Sequence, residues 1–183
     1  MRRGRQNIDD SYYPLFVTTG IVDRLRVFTD DTINSESLKS IEFARNKYDI
    51  TLYAYVLMPS HIHMLCCSEE MGGVSRFMNS WKSWMAKRIM EYYQSDPGIF
   101  HKFKDAVMRF DLESKQNCKV WSSRFDDVAI RNEEMLNQKL NYIHENPVRA
   151  GLARNTIEYR YSSAGFYEHG ESGIIKLMNI YEP

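Results

Sequence analysis

Residues 50–67 carry two runs of β-branched, aromatic and apolar side chains, Ile50 to Leu57 and His61 to Cys67, parted by Met58-Pro59-Ser60. Each run has the length and composition of a strand, and the proline between them demands an interruption, so the two either pair or continue within one sheet. Alternate side chains of a strand share a face, which groups His61 with His63 and sends Ile62 to the other side, into a core. Two imidazoles converging from one strand amount to half of a metal site. Histidines in this pattern also occur as partly buried polar residues, so the rest of the chain has to decide between the two roles.

Upstream, Phe16-Val17-Thr18-Thr19 opens the sheet, with Gly20 as a break or bulge. Asp30 to Ser35 supplies helix N-caps, and Ile33, Leu38, Ile41, Ala44 and Tyr48 then recur at helical spacing. Beyond Glu69 to Gly73, Val74, Phe77, Met78, Trp81, Trp84, Met85, Ile89 and Tyr92 fall on one helical face. Both tryptophans are therefore expected in the core rather than as stacking platforms. Ser95-Asp96-Pro97-Gly98 breaks this helix, and residues 99–119 form a less regular, basic and aromatic segment with a short helix. Val120 to Ile130 reads as extended.

Asn132 then caps a helix over about 133–145, with Glu133 and Glu134 suited to its first turn. Its apolar stripe is Leu136, Leu140 and Ile143; Tyr142 lies on a flank with Met135, Lys139 and Asn146. Pro147 biases Asn146 away from helical geometry, and Gly151 ends the region. Strand, helix, two strands, helix, strand, helix is an α+β order. The right-handed crossover rule makes it a ferredoxin-like antiparallel sheet with helices packed on one face and the histidine strand central.

At 183 residues the chain is read as a single domain, residues 1–183, with 1–11 as a flexible basic arm and 168–183 as a C-terminal tail. A 43% hydrophobic and 26% charged composition argues against disorder, and no apolar run approaches the roughly 20 residues of a spanning helix. No apolar stretch follows Met1-Arg2-Arg3-Gly4-Arg5, so a cytoplasmic protein without membrane contact is expected. Cys66, Cys67 and Cys118 make no disulfide framework; Cys67 shares the histidine face but sits about 13 Å along the strand, as a small core residue. Zero formal charge counts against bulk attraction to nucleic acid. Between Arg76 and Arg109, however, seven basic residues face three acidic ones, which permits a local phosphate-binding surface.

Leu57-Met58-Pro59-Ser60-His61-Ile62-His63-Met64-Leu65, followed some eighty residues later by Tyr142 to Leu152 (Tyr-Ile-His-Glu-Asn-Pro-Val-Arg-Ala-Gly-Leu), resembles the single-tyrosine HUH transposases, specifically the REP-associated tyrosine transposase branch. The likeness runs from about Tyr12 to Tyr167 and includes Trp121, Phe125 and Asp127 of a W…FxD segment and Ser162-Ser163-Ala164. It implies cleavage and rejoining of single-stranded, hairpin-forming DNA through a 5′-phosphotyrosine link. By the same resemblance His61 and His63 would hold a divalent cation, Mg²⁺ or Mn²⁺, and Tyr142 would be the nucleophile. Asn146, four residues after Tyr142, is either the third ligand or a helix C-cap.

Arg149 either contacts phosphate or pairs with a surface acid, and Asp127 is a partner behind the metal ligands or, as preferred, a turn former. Asp126 stands where the family commonly has His or Tyr. Arg2, Arg3 and Arg5 would bind DNA as an arm. A monomer associated with the nucleoid through its DNA is expected over a dimer. The competing functions are a domesticated hairpin-binding module that no longer cleaves and a metallohydrolase that uses water.

Overall fold

The computed structural model describes residues 13–110, 119–122, 125–170 and 172–182. Four strands, β1 (Leu15–Gly20), β2 (Thr51–Met58), β3 (His61–Cys67) and β4 (Asp126–Ala129), form one sheet in the order β2-β3-β1-β4 with every neighbouring pair antiparallel. The helices are α1 (Asp31–Lys47), α2 (Gly73–Tyr92), α3 (Pro97–Phe110), α4 (Glu133–Arg149) and α5 (Ala164–His169). Strand, α1, two strands, α2 and α3, strand is the ferredoxin-like arrangement expected. Strands β2 and β3 pair as a hairpin across Pro59-Ser60, with Met58 opposite His61.

Local chemistry sets the ends of these elements. The Asp30 carboxylate accepts from the Thr32 amide at 2.7 Å and starts α1. Strand β3 turns into α2 through Gly72, whose φ of +73° suits glycine, and Gly73, where an added Cβ would stand 2.0 Å from the Ser68 hydroxyl oxygen. Asp96 Oδ1 accepts from the amides of Gly98 and Ile99 at 3.0 and 3.1 Å, so the Asp-Pro-Gly break also begins a helix. The resulting α3 has 14 residues and is longer than the short helix expected there.

Helices cover both faces of the sheet, not one. Val17, Ile62, Met64 and Cys66 pack under α1 and α2 against Ile33, Leu38, Ile41, Phe77 and Trp81. Phe16, Ala54, Val56 and Leu65 point the other way and receive Leu140 and Ile143 of α4. Strand β2 is nearly continuously apolar, so both of its faces need cover, and the α4 stripe is what remains to supply it. Burial of Leu140 and Ile143 stabilises this docking by about 1.5–3 kcal/mol each.

Two further expectations change. Trp81 is in the core, donating to the Ser40 hydroxyl at 3.0 Å, but Trp84 is 43% exposed at the edge of the stripe, with the Arg88 guanidinium 5.9 Å from its ring centre. Helix α4 runs on through Asn146 and Pro147 to Arg149. Proline removes only one amide near the end of the helix, and its own burial in the fold compensates. Gly151, at φ +68°, then stops the helix. Residues 172–182 pack back onto the fold: Ile175 and Leu177 are buried, and the Met178 amide donates to the Leu52 carbonyl at 3.0 Å. The arm at 1–11, with Arg2, Arg3 and Arg5, lies outside the described residues, as does Cys118. Among the described residues no helix is long and apolar enough to cross a membrane.

Candidate functional site

On the α4 side of the sheet, the register sets Val56, His63, Thr18 and Asp126 side by side across the four strands. His61 is one pleat along, opposite Gly20, where the absence of a side chain leaves room above the strand. A cleft of about 370 Å³ opens here, lined by Thr18, Gly20, Arg24, Ser60, His61, His63, Ser122, Asp126 and Tyr142 among others.

Each histidine is held by a hydroxyl at the same ring nitrogen. Thr18 Oγ1 lies 2.8 Å from His63 Nδ1, and Ser60 Oγ lies 3.1 Å from His61 Nδ1. These contacts leave both Nε2 atoms for another partner, and His63 Nε2 is buried without any hydrogen bond. A buried, unsatisfied nitrogen is costly unless something occupies it. His63 is 4% exposed; burial, then the neighbouring His61 and Lys139, push its pKa down to about 3. Burial and Arg24 also lower His61. Both rings are thus neutral in ordinary buffers and carry the lone pair a metal needs. The pair fits a divalent cation. No third His, Cys, Asp or Glu among the described residues completes a ligand group.

Helix α4 brings Tyr142 to the same place. Its ring centre is 5.1 Å from that of His63, edge to face, and the two imidazole centres are 4.9 Å apart. Phe16 stacks on His63 at 5.4 Å and meets the Tyr142 ring edge at 5.9 Å, a wedge that spaces helix from strand. Tyr142 remains 36% exposed and lines the cleft.

Asn146 follows one turn later on the same flank, with its amide 3.3 Å from the Tyr142 carbonyl, and it is outside the cleft lining. Arg149 pairs with Glu145 at 2.5 Å, the surface pairing weighed from the sequence. Asp127 lies within β4 opposite Val17, on the other side of the sheet from the histidines, so it neither backs them nor forms a turn; its neighbour Asp126 lines the cleft instead. Sequence reading missed Thr18, Ser60, Arg24 and Asp126. Strand parity pointed to Thr18 only once the pairing of β1 with β3 was known.

His144 faces away from the cleft. Its Nε2 is 2.9 Å from Ser163 Oγ, which accepts from the Tyr55 amide at 3.0 Å and donates to the Tyr55 carbonyl at 3.1 Å. With the single hydroxyl proton spent on the carbonyl, Nε2 must be the donor to Ser163. Burial favours the neutral ring, pushing its pKa down to about 4. His144 therefore pins α4 to β2 through Ser163.

Residues 12–105, just over half of the chain and including both cleft histidines, match the family model described as "Transposase IS200 like". A Haemophilus influenzae protein named as a candidate REP-associated tyrosine transposase is 24% identical over 148 residues, covering 81% of this chain and 77% of that protein. The solved structure of a REP-associated tyrosine transposase bound to a REP hairpin superposes with a TM-score of 0.60 at 17% identity, over 98% of this chain and 93% of that one. At that identity the superposition establishes a common fold.

Proposed function

This chain belongs to the IS200-like transposase family, and from that membership we propose that it cuts and rejoins single-stranded DNA at a hairpin, with Tyr142 as the nucleophile. The observation that carries this reading is Tyr142, partly exposed in the cleft beside two imidazoles whose Nδ1 atoms are taken by hydroxyls and whose Nε2 atoms have no hydrogen-bond partner among the described residues. Hairpin DNA as the partner is supported by the likeness to the REP-associated relatives. His61 and His63 would hold Mg²⁺ or Mn²⁺, with Asn146 as a third ligand if its amide left the Tyr142 carbonyl. The cation supplies Lewis-acid polarisation of a phosphoryl oxygen.

The Tyr142 oxygen attacks phosphorus, the bond from phosphorus to the 3′-oxygen breaks, and a 5′-phosphotyrosine forms. The phenolic proton passes to solvent and the departing 3′-oxygen takes one up. A phenol, with an ordinary pKa near 10, leaves more readily than an alcohol, so an incoming 3′-hydroxyl rejoins the strand without an outside energy source. Phe16 keeps the Tyr142 ring at its distance from His63 during both steps.

Labelled hairpin oligonucleotides with randomised single-stranded flanks, incubated with Mn²⁺ and resolved under denaturing conditions, test this directly. A protein–DNA adduct is expected from the native chain and not from Tyr142→Phe or the His61→Ala, His63→Ala double variant. Cleavage that survives in Tyr142→Phe would mean that water attacks. Hairpin binding with no cleavage at all would mean a binding module.

A further inference from the structure

The site described so far contains a nucleophile, a pair of imidazoles and, from the segment after β1, the cation of Arg24; the helix that bears the nucleophile carries a cation of its own. Lys139 lies one turn before Tyr142 on the same flank of α4. Its ammonium stands 4.7 Å from the centre of the Phe16 ring and 6.0 Å from that of Tyr142. Phe16 in turn stacks on His63, and the Lys139 charge is among the influences that depress His63. Ammonium, phenol and imidazole thus gather around the Phe16 ring, beside the cleft that Tyr142 and His63 line.

No carboxylate among the described residues pairs with Lys139, whereas Arg45, Arg76, Arg88, Arg149 and Arg160 each hold one. The carboxylates of the cleft, Asp23 and Asp126, come from the segment after β1 and from β4. Arg24 stands beside Asp23 on the segment after β1, so Lys139 is the positive charge on the wall that bears the nucleophile. A hydrogen bond to a charged oxygen is stronger than the contact of an ammonium with an aromatic ring, and the four-carbon stem lets the ammonium swing from the ring to an arriving phosphate.

Resting on the strand-transfer reading above, we infer that Lys139 contacts a non-bridging oxygen of the phosphate attacked by Tyr142 and neutralises the charge that builds there. It supplies charge and transfers no proton: the bond from the Tyr142 oxygen to phosphorus forms, the bond to the 3′-oxygen breaks, and both protons exchange with solvent. A preorganised donor at such a position is worth on the order of a hundredfold in rate.

The test compares Lys139→Met, which keeps the stem over Phe16, with Lys139→Arg, which keeps the charge. Lys47→Met serves as control, because Lys47 also rests on an aromatic ring, 5.4 Å from the centre of Tyr48, but on a helix across the sheet from the cleft. Thermal unfolding of all three variants should match the native chain within a few degrees. With the oligonucleotide captured above and Mn²⁺, single-turnover adduct formation at saturating DNA should slow on the order of a hundredfold in Lys139→Met. Lys139→Arg should restore most of the rate, and Lys47→Met should leave it unchanged.

In EDTA, binding of a hairpin with oligothymidine flanks should lose about 0.7 from the slope of log Kd against log salt concentration in Lys139→Met, the value of one single-strand phosphate contact. A native adduct whose rate is unaffected by Lys139→Met overturns the inference while leaving the strand-transfer reading intact. No native adduct, with the salt slope still lowered, overturns the strand-transfer reading and the catalytic role together but keeps the phosphate contact. No adduct and an unchanged slope overturn both.

Discussion

Thr18 brings no reactive group to the cleft, yet its hydroxyl decides which nitrogen of His63 is left to bind. The 2.8 Å contact to Nδ1 fixes the ring and leaves Nε2 as the nitrogen without a hydrogen-bond partner among the described residues, and partners of this kind typically change metal affinity 10- to 100-fold. Thr18→Val should therefore weaken Mn²⁺ binding by about tenfold, read by calorimetric titration, with a small change in thermal stability. Unchanged affinity would mean that Phe16 alone orients the ring. Because both protein donors at His61 and His63 are imidazole nitrogens, Mn²⁺ should bind more tightly than Mg²⁺, which prefers an all-oxygen octahedron. The same titration with Mg²⁺ checks this, and His63→Ala should abolish binding of either metal.

Helix α4 is the element that turns a sheet with two histidines into a site. Leu140 and Ile143 bury one side of it, His144 anchors it to Ser163, and Tyr142 and Lys139 project from the remaining flank. Ser163→Ala leaves the buried Tyr55 backbone and His144 short of partners and should cost about 1–3 kcal/mol in urea unfolding. It should also slow adduct formation, since the helix carrying the nucleophile loses its anchor. On α2, Trp81→Ala should cost about 3–5 kcal/mol, whereas Trp84→Ala should stay near 0.5 kcal/mol.

The contrast between the two tryptophans marks how far the sequence can be read. Caps such as Asp30 and Asn132, the alternation of His61-Ile62-His63 and the flank of Tyr142 are local, and each was visible in a short window. The exposure of Trp84, the cover of α4 on the second face, and the Thr18–His63 bond depend on which elements become neighbours. Periodicity says nothing of that. Pro147 misled for a related reason, because its local preference for ending a helix is outweighed by packing that only the folded chain supplies.

For the molecule as a whole, the buried neutral imidazoles link folding to pH. His63 and His144 titrate near 6.5 when unfolded but at about 3 and about 4 in the fold, both chiefly through burial. The unfolded chain therefore takes up protons first, and stability present above pH 6.5 is lost as pH falls toward 4 and then 3. At pH 5 each group should cost about 2 kcal/mol relative to pH 7 in the metal-free protein. Urea midpoints at the two pH values measure this, and His144→Gln should remove about half of the difference.

Everything proposed for the cleft converges on one covalent bond. The most direct measurement is to digest the protein after reaction with hairpin DNA and Mn²⁺, treat the mixture with nuclease, and locate the nucleotide mass by tandem mass spectrometry. The predicted result is a phosphonucleotide on the peptide containing Tyr142, absent when Mn²⁺ is replaced by EDTA. A nucleotide on any other of the twelve tyrosines, or cleaved DNA with a free 5′-phosphate and no modified peptide, would contradict it.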